Sequence, residues 1–240
     1  MTTQVLDGSE QILVIPQAKL EWMRHSPGLQ ACPRRRLEDL LSLATFVPRT
    51  EALEHSPAGL AWLQVIPYSL LTHDGKVFAY RRPARGAEMR LAGRCSVGIG
   101  GHVNPLSEPG PAMAMLEAHS EAGRTSTALS EMTISVNLAR EVREEMGVDG
   151  SFHRLAGLLW DARDDVGRRH LGLVYVVDVA DPGPVRPQAA EVEPLGWLTP
   201  AELRALPASD WEGWSGLLVP HVEAVLTVES PGPIAGVRHG

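Results

Sequence analysis

"NLAREVREEMGV", residues 137–148, sets three glutamates where one helical turn brings them together, and then ends on Gly-Val. With 3.6 residues per turn, positions i, i+3 and i+4 share a face, and Glu141, Glu144 and Glu145 hold those positions. Leu138, Val142 and Met146 form a separate i, i+4, i+8 stripe suited to packing on a sheet. Arg140 stands one turn before Glu144 and can pair with it. Gly147 can take the left-handed conformation that ends a helix. The arrangement has a cost. Like charges one turn apart destabilise a helix by roughly a few tenths of a kcal/mol per pair. Negative charge near the C-terminus is disfavoured by about 0.3–1 kcal/mol more. A solvated amphipathic face would account for acidic residues but leaves both costs standing. A divalent cation turns them into a binding site. Oxygen-only donors, with no His or Cys near in sequence, suit Mg²⁺ or Mn²⁺ better than Zn²⁺.

Outward from this helix, strands and helices interleave, which predicts an α/β fold with a mixed sheet. On the N-terminal side, "AWLQVIPYSLLTH" and "VFAYRRP" read as strands joined at Asp74-Gly75, a strong hairpin signal. "CSVGIGGHV" reads as a further strand running into a glycine pair. "PGPAMAMLEAHSEAG" has Pro111 near a helix start and Gly123 past its end, and "RTSTALS" is expected to link it to the acidic helix. On the C-terminal side, "LAGLLW" and "HLGLVYVVDV" are strands joined by the charged loop "DARDDVGRR". "EVEPLGWLTPAELRAL" reads as strand then helix, with Thr199 and Glu202 in capping-box spacing around Pro200. "DWEGWSGLLVPHVEAVL" is a last helix interrupted at Pro220, and residues 231–240 are expected to form a mobile tail. Residues 1–55 begin with a short strand, followed by an amphipathic helix whose apolar side holds Leu37, Leu40, Leu41 and Leu43. They are too few for a comfortable separate domain, so they are expected to pack on the core of residues 56–230 or help form a homodimer.

The chain of 240 residues is 44% hydrophobic and 21% charged, ordinary for a globular protein. Its formal charge of -7 argues against a broad nucleic-acid surface, which needs many Lys and Arg contacts to phosphate. It leaves room for a small phosphorylated substrate if something local and positive offsets repulsion. No apolar run approaches the ~20 residues that span a bilayer. The first residues show neither a basic nor an apolar leader, and Cys32 and Cys95 form no framework, so a cytoplasmic location is expected.

"REVREEMGV", Arg140–Val148, resembles the second half of the Nudix box, R-E-U-x-E-E-x-G-U with U aliphatic, at every specified position. "GGHV", Gly100–Val103, is similar to the strand end and glycine pair that open the same box. The order of strand, hairpin, box helix, strand pair and "GWLTPAEL" is also similar to the family's. The resemblance implies a Nudix-type α/β/α sandwich around a mixed β-sheet. It departs at an insertion, about residues 105–130, which separates the glycines from the helix and is expected to cover the substrate mouth. Glu108 is one residue too far from Gly101, and Glu131 one too far from Arg140, for either to match the family's first glutamate. Asn104 stands where a glutamate usually follows the glycines.

The resemblance implies a metal-dependent hydrolase that cleaves a diphosphate bond in a nucleoside diphosphate linked to another group. Mg²⁺ or Mn²⁺ held by Glu141, Glu144 and Glu145 would bridge the diphosphate oxygens and make a water acidic enough to attack phosphorus in line. Arg140 would orient the glutamates, and Gly101 would allow close backbone approach beside the metal. A general base is sought among Glu191 and Glu193, ahead of a Trp-bearing strand, and after them Asp161, Asp164 and Asp165. Each of these is also the ordinary solvated acid of a loop. Arg81 and Arg82 close a strand near the substrate. A guanidinium there matches phosphate oxygens, with a surface strand-end charge as the competing reading. His102 and His170 read as structural, and Cys95 as a small core residue. The six tryptophans serve either as core or as a stacking platform.

The alternative to an enzyme is a non-catalytic Nudix-like sensor of nucleotides. Retention of all three glutamates and Arg140 favours catalysis. An isoprenyl diphosphate isomerase would want a reactive cysteine, and the apolar setting of Cys95 argues against it.

Overall fold

The computed structural model describes residues 10–24, 27–53, 61–82, 92–106, 124–150, 153–161, 163, 167–188 and 192–228. In chain order they form β1 (Gln11–Pro16), α1 (Glu21–Arg24), β2 (Gly28–Gln30), α2 (Arg34–Leu41), β3 (Thr45–Pro48) and α3 (Arg49–Leu53). Next come β4 (Trp62–His73), β5 (Lys76–Arg81), β6 (Cys95–Ser96), β7 (Ile99–Gly100) and α4 (Arg124–Met146). β8 (His153–Trp160), β9 (His170–Asp178), β10 (Glu193–Leu198), α5 (Pro200–Ala205), α6 (Gly213–Leu218) and α7 (Val222–Thr227) complete the set.

The strands make one mixed sheet of order β10-β5-β4-β9-β8-β2. β4 and β9 run parallel from Gln64↔His170 to Thr72↔Asp178, and the other pairs are antiparallel. The second edge of β4 is shared in turn by β1, β7 and β5. The tight β4–β5 turn rests on Asp74 and Gly75, whose φ values of 47° and 72° match the twist of the strands it joins. Side chains alternate along β4. Leu63, Val65 and Leu71 pack with α2 and α4 on one face, while Tyr68 and Leu70 pack with α5 to α7 on the other. Helices therefore cover both faces, an α/β/α sandwich.

The N-terminal residues are woven into this sheet. β1 pairs with β4 and β3, and β2 closes the far edge on β8. Ile12, Val14, Val47 and Ala52 form a small core of their own against Trp62. Among the described residues no helix is long and apolar enough to cross a membrane.

Three local expectations are corrected. "RTSTALS" is not a link: α4 starts at Arg124, and Thr133 donates its Oγ1 hydrogen bond back to the Leu129 carbonyl as helical Thr does. The glycine-bearing strand is two short ones, because β6 pairs with β5 and β7 with β4, and the Tyr68 ring occupies the space beside Gly98 between them. Leu43 is 36% exposed, since α2 ends at Leu41 and the chain turns into β3. The capping box of α5 forms, with the Glu202 N–H donating to Thr199 Oγ1 and the Glu202 carboxylate accepting from the Thr199 N–H. The expected helix at 111–122 and the tail 231–240 lie outside the described residues.

Candidate active site

The last two turns of α4 face the loop that follows β7. Asn137, buried, anchors that loop: its Oδ1 accepts from the Asn104 N–H at 3.1 Å and its Nδ2 donates to the Asn104 carbonyl at 2.9 Å. Arg140 Nη2 donates to Asn137 Oδ1 and to Glu141 Oε1, and its Nη1 lies 3.6 Å from Glu144 Oε2. Arg140 therefore holds Glu141 and Glu144 from between. Gly101 lies directly against Glu141, and a Cβ at that position would overlap the carboxyl carbon. Any larger residue there would displace the glutamate. Gly147 ends the helix at φ 71°, with its N–H on the Arg143 carbonyl.

The three glutamates differ in their surroundings. Glu144 is the most exposed. Glu141 is half-buried; burial raises its pKa, Glu144 adds to this, and Arg140 works against it. Glu145 is pushed up to about 7 by burial and by the charge of Glu141, while Arg82 works against the shift. Glu141 and Glu144 thus act on Glu145 where burial makes an ion pair or a cation worth more than in water.

Arg82, at the end of β5, is held by a residue from the far end of the chain. Glu212, 6% exposed, accepts from Arg82 Nε at 2.6 Å, Ser96 Oγ at 2.6 Å and Tyr68 OH at 3.1 Å. Its own N–H donates to the Cys95 carbonyl, and Ser215 Oγ lies 2.8 Å from Tyr68 OH. The guanidinium sits over the Tyr80 ring. Burial opposes the charge on Arg82, but Tyr80 and Glu212 carry its pKa above the ordinary range.

Arg82 and Glu212 line one end of a cleft of about 650 Å³ on the sheet face opposite α4. Gln64, Ile66 and Tyr68, alternate residues of β4, line it too, with Trp211 and Trp214. Arg49 and His102 line it beside Gln64. His102 Nε2 donates to Gln64 Oε1 at 2.7 Å, and burial, with Arg49 and His170 nearby, lowers the His102 pKa to about 4. The glutamates of α4 do not line the cleft. Gly101, which does, touches Glu141, and Arg82 lies in the field of Glu145.

The remaining candidates fall as follows. Glu193 opens β10 at the sheet edge, 69% exposed and 3.9 Å from Arg81, away from the cleft lining. Arg81 donates to the Gly93 carbonyl, so of the two strand-end arginines only Arg82 reaches the cleft. Asp161 lines the cleft but is gripped by Arg163 through two side-chain hydrogen bonds, which outweigh burial and keep its carboxyl below the usual range. Glu131 is tied to Arg34 of α2 at 2.9 Å, and Asn104 donates to the Gln11 carbonyl and Glu10, so both join the N-terminal strands and helix to the core. Cys95 is buried in the core. Glu108, Asp164, Asp165 and Glu191 lie outside the described residues. Glu212, Gln64 and Arg49 escaped the sequence reading. The only hint of Glu212 was a lone acid between Trp211 and Trp214.

Among the described residues, no three His, Cys, Asp or Glu side chains converge as a ready-made metal centre. The donor chemistry fits a hard divalent cation all the same. The side chains are carboxylates, Glu141 and Glu144 both raise the proton affinity of Glu145, and the Gly101 backbone lies beside Glu141.

An α/β/α sandwich with an acidic helix end against a glycine loop defines a class, and comparison identifies it. The NUDIX domain model matches residues 69–220, more than half of the chain. This chain belongs to the Nudix family. Protein YmaB of Bacillus subtilis (strain 168) is 27% identical over 144 residues, 59% of this chain and 61% of YmaB, so the match spans less than two thirds of that relative. The crystal structure of Tm1382, assigned to the Nudix hydrolases, superposes with a TM-score of 0.60 at 21% identity, over 89% of this chain and 98% of Tm1382, and shares the fold.

Proposed function

We propose that the chain is a divalent-cation-dependent pyrophosphohydrolase acting on a nucleoside diphosphate linked to another group, with water attacking phosphorus. The observation that carries this reading is the intact box helix end, with Glu141 against Gly101 and Glu145 in the field of Arg82. Glu141, Glu144 and Glu145 would hold Mg²⁺ or Mn²⁺, which supplies charge to offset the diphosphate and lowers the pKa of water.

The chain's own residues do the rest. Arg140 keeps Glu141 and Glu144 on one side of the helix. Glu212 engages Arg82 through Nε and fixes the guanidinium plane, which among the described residues leaves the Nη groups for a phosphate oxygen. The Tyr68–Ser96–Ser215 hydrogen bonds hold Glu212 in turn, so the cation is positioned before substrate arrives. The cleft beyond Arg82 would take the group attached to the phosphates. Residues 56–230 would form the catalytic unit, with residues 1–55 supplying β1, β2 and the Arg49 wall.

The test is a panel of nucleoside triphosphates, dinucleoside polyphosphates and nucleotide sugars, with the nucleotide products separated and pyrophosphate measured, with and without Mg²⁺. Metal-dependent cleavage that Glu144→Gln abolishes supports the reading, and turnover retained in that variant overturns it.

A further inference from the structure

The cleft has two polar ends with unlike chemistry. At one, Arg82 and Glu212 adjoin Tyr68. At the other, Arg49, Gln64 and His102 lie together. Gln64 and Tyr68 are four residues apart on β4, which separates the ends by roughly 13 Å at strand rise, comparable to an extended mononucleotide.

Gln64 is 1% exposed at the cleft floor. Its Oε1 is used by His102, while its Nε2 has no hydrogen-bond partner among the described residues. A buried amide donor left unpaired weakens the fold unless an acceptor reaches it. Arg49, beside it, is matched by Glu10 at 2.9 Å, so the pair carries no net charge to draw a second phosphate. Between the two ends the lining is apolar and aromatic: Ile66 on the floor and Trp214, whose ring stands edge-on to Tyr68 at 5.2 Å and 88°. Such walls suit a flat ring.

We propose that the Gln64–Arg49 end is a specificity subsite for an uncharged, carbonyl-bearing ring, with Gln64 Nε2 donating to a ring carbonyl oxygen. The proposal rests on the reading that the Arg82 end takes the phosphates. It makes the N-terminal residues part of substrate selection, since Arg49 and its partner Glu10 come from α3 and the residue before β1. A uracil- or guanine-type ring offers the acceptor, and an adenine-type ring lacks a carbonyl.

The test needs no turnover. Binding of UMP, AMP and methyl phosphate to the full chain is measured by titration calorimetry in EDTA. UMP is expected to bind best. Gln64→Met, which keeps the bulk of the side chain, should narrow the UMP-to-AMP affinity ratio by about tenfold, the usual scale for one lost buried hydrogen bond. Arg49→Ala, at a partly exposed position, tests the same subsite should the Met variant fold poorly, and melting midpoints are recorded for both. Equal binding of the three probes, or a UMP preference that survives both substitutions, overturns the proposal. UTP hydrolysis with Mg²⁺ is read separately. Its failure beside an intact, substitution-sensitive UMP preference removes the hydrolase reading and supports the subsite.

Discussion

The two halves of α4 treat acid in opposite ways. Near its start, Glu131 is half-buried, yet Arg34 meets it at 2.9 Å and opposes the rise in pKa that burial causes. Asn137, in mid-helix, has both amide ends engaged, with Asn104 and with the Thr133 carbonyl. Near its end, Glu145 is raised by burial and then further by Glu141, Glu212 and Glu144, with only Arg82 opposing. One half spends its polar groups on holding β1 and α2 to the core. The other keeps like charges close, which weakens the fold and suits a bound cation. Local cost tolerated at one place in a helix otherwise well satisfied is the physical mark of a site.

Four substitutions break or sharpen this contrast. Glu144→Gln should lower Mg²⁺-dependent kcat/KM by about a hundredfold or more, the scale for removing one electrostatic catalytic group, while the urea midpoint holds. Steady-state kinetics beside a denaturation curve separates the two effects. Asn137→Ala leaves the Asn104 N–H without its partner and should cost about 2–3 kcal/mol of stability, read from the shift in urea midpoint. Arg34→Ala strips Glu131 of its cation and should cost about 1–2 kcal/mol, with turnover per folded molecule unchanged. A loss of turnover there would erase the distinction between the halves.

The smallest effect depends on pH. The Glu145 carboxyl has an ordinary value near 4.5 and about 7 in the fold. Between those values the native state binds more protons than the unfolded chain, so this group lowers stability as pH rises. The penalty is absent below pH 4.5 and complete above 7. Glu145→Gln in EDTA should therefore raise stability by about 1 kcal/mol at pH 8, after allowance for solvent screening, and change it little at pH 4.5. Equal stability of the two proteins at pH 8 would mean that the charged Glu145 carries no penalty from burial or from its acidic neighbours.

Much of this was legible because it is local. The i, i+3, i+4 spacing of Glu141, Glu144 and Glu145, the Asp74-Gly75 turn and the Thr199–Glu202 cap each depend on a few neighbouring dihedrals. The start of α4 was not legible. Ser and Thr have modest helix propensity, and the first turns of α4 are helical through packing, with Thr127 and Thr133 buried and Arg34 reaching across from α2. The insertion's other residues, 107–123, lie outside the described part of the chain.

What the sequence by itself determined is the acidic face of one helix and, through it, the family. A helix's geometry is a property of its own backbone, so carboxylates at the right spacing must share a side. The tertiary structure alone decided which other residues meet there. Glu212 reaches Arg82 from 130 residues away and Tyr68 from 144, and Arg49 joins Gln64 and His102 through β1 pairing on β4. No local pattern encodes such meetings, because they arise from the register of strands and the closure of the sheet.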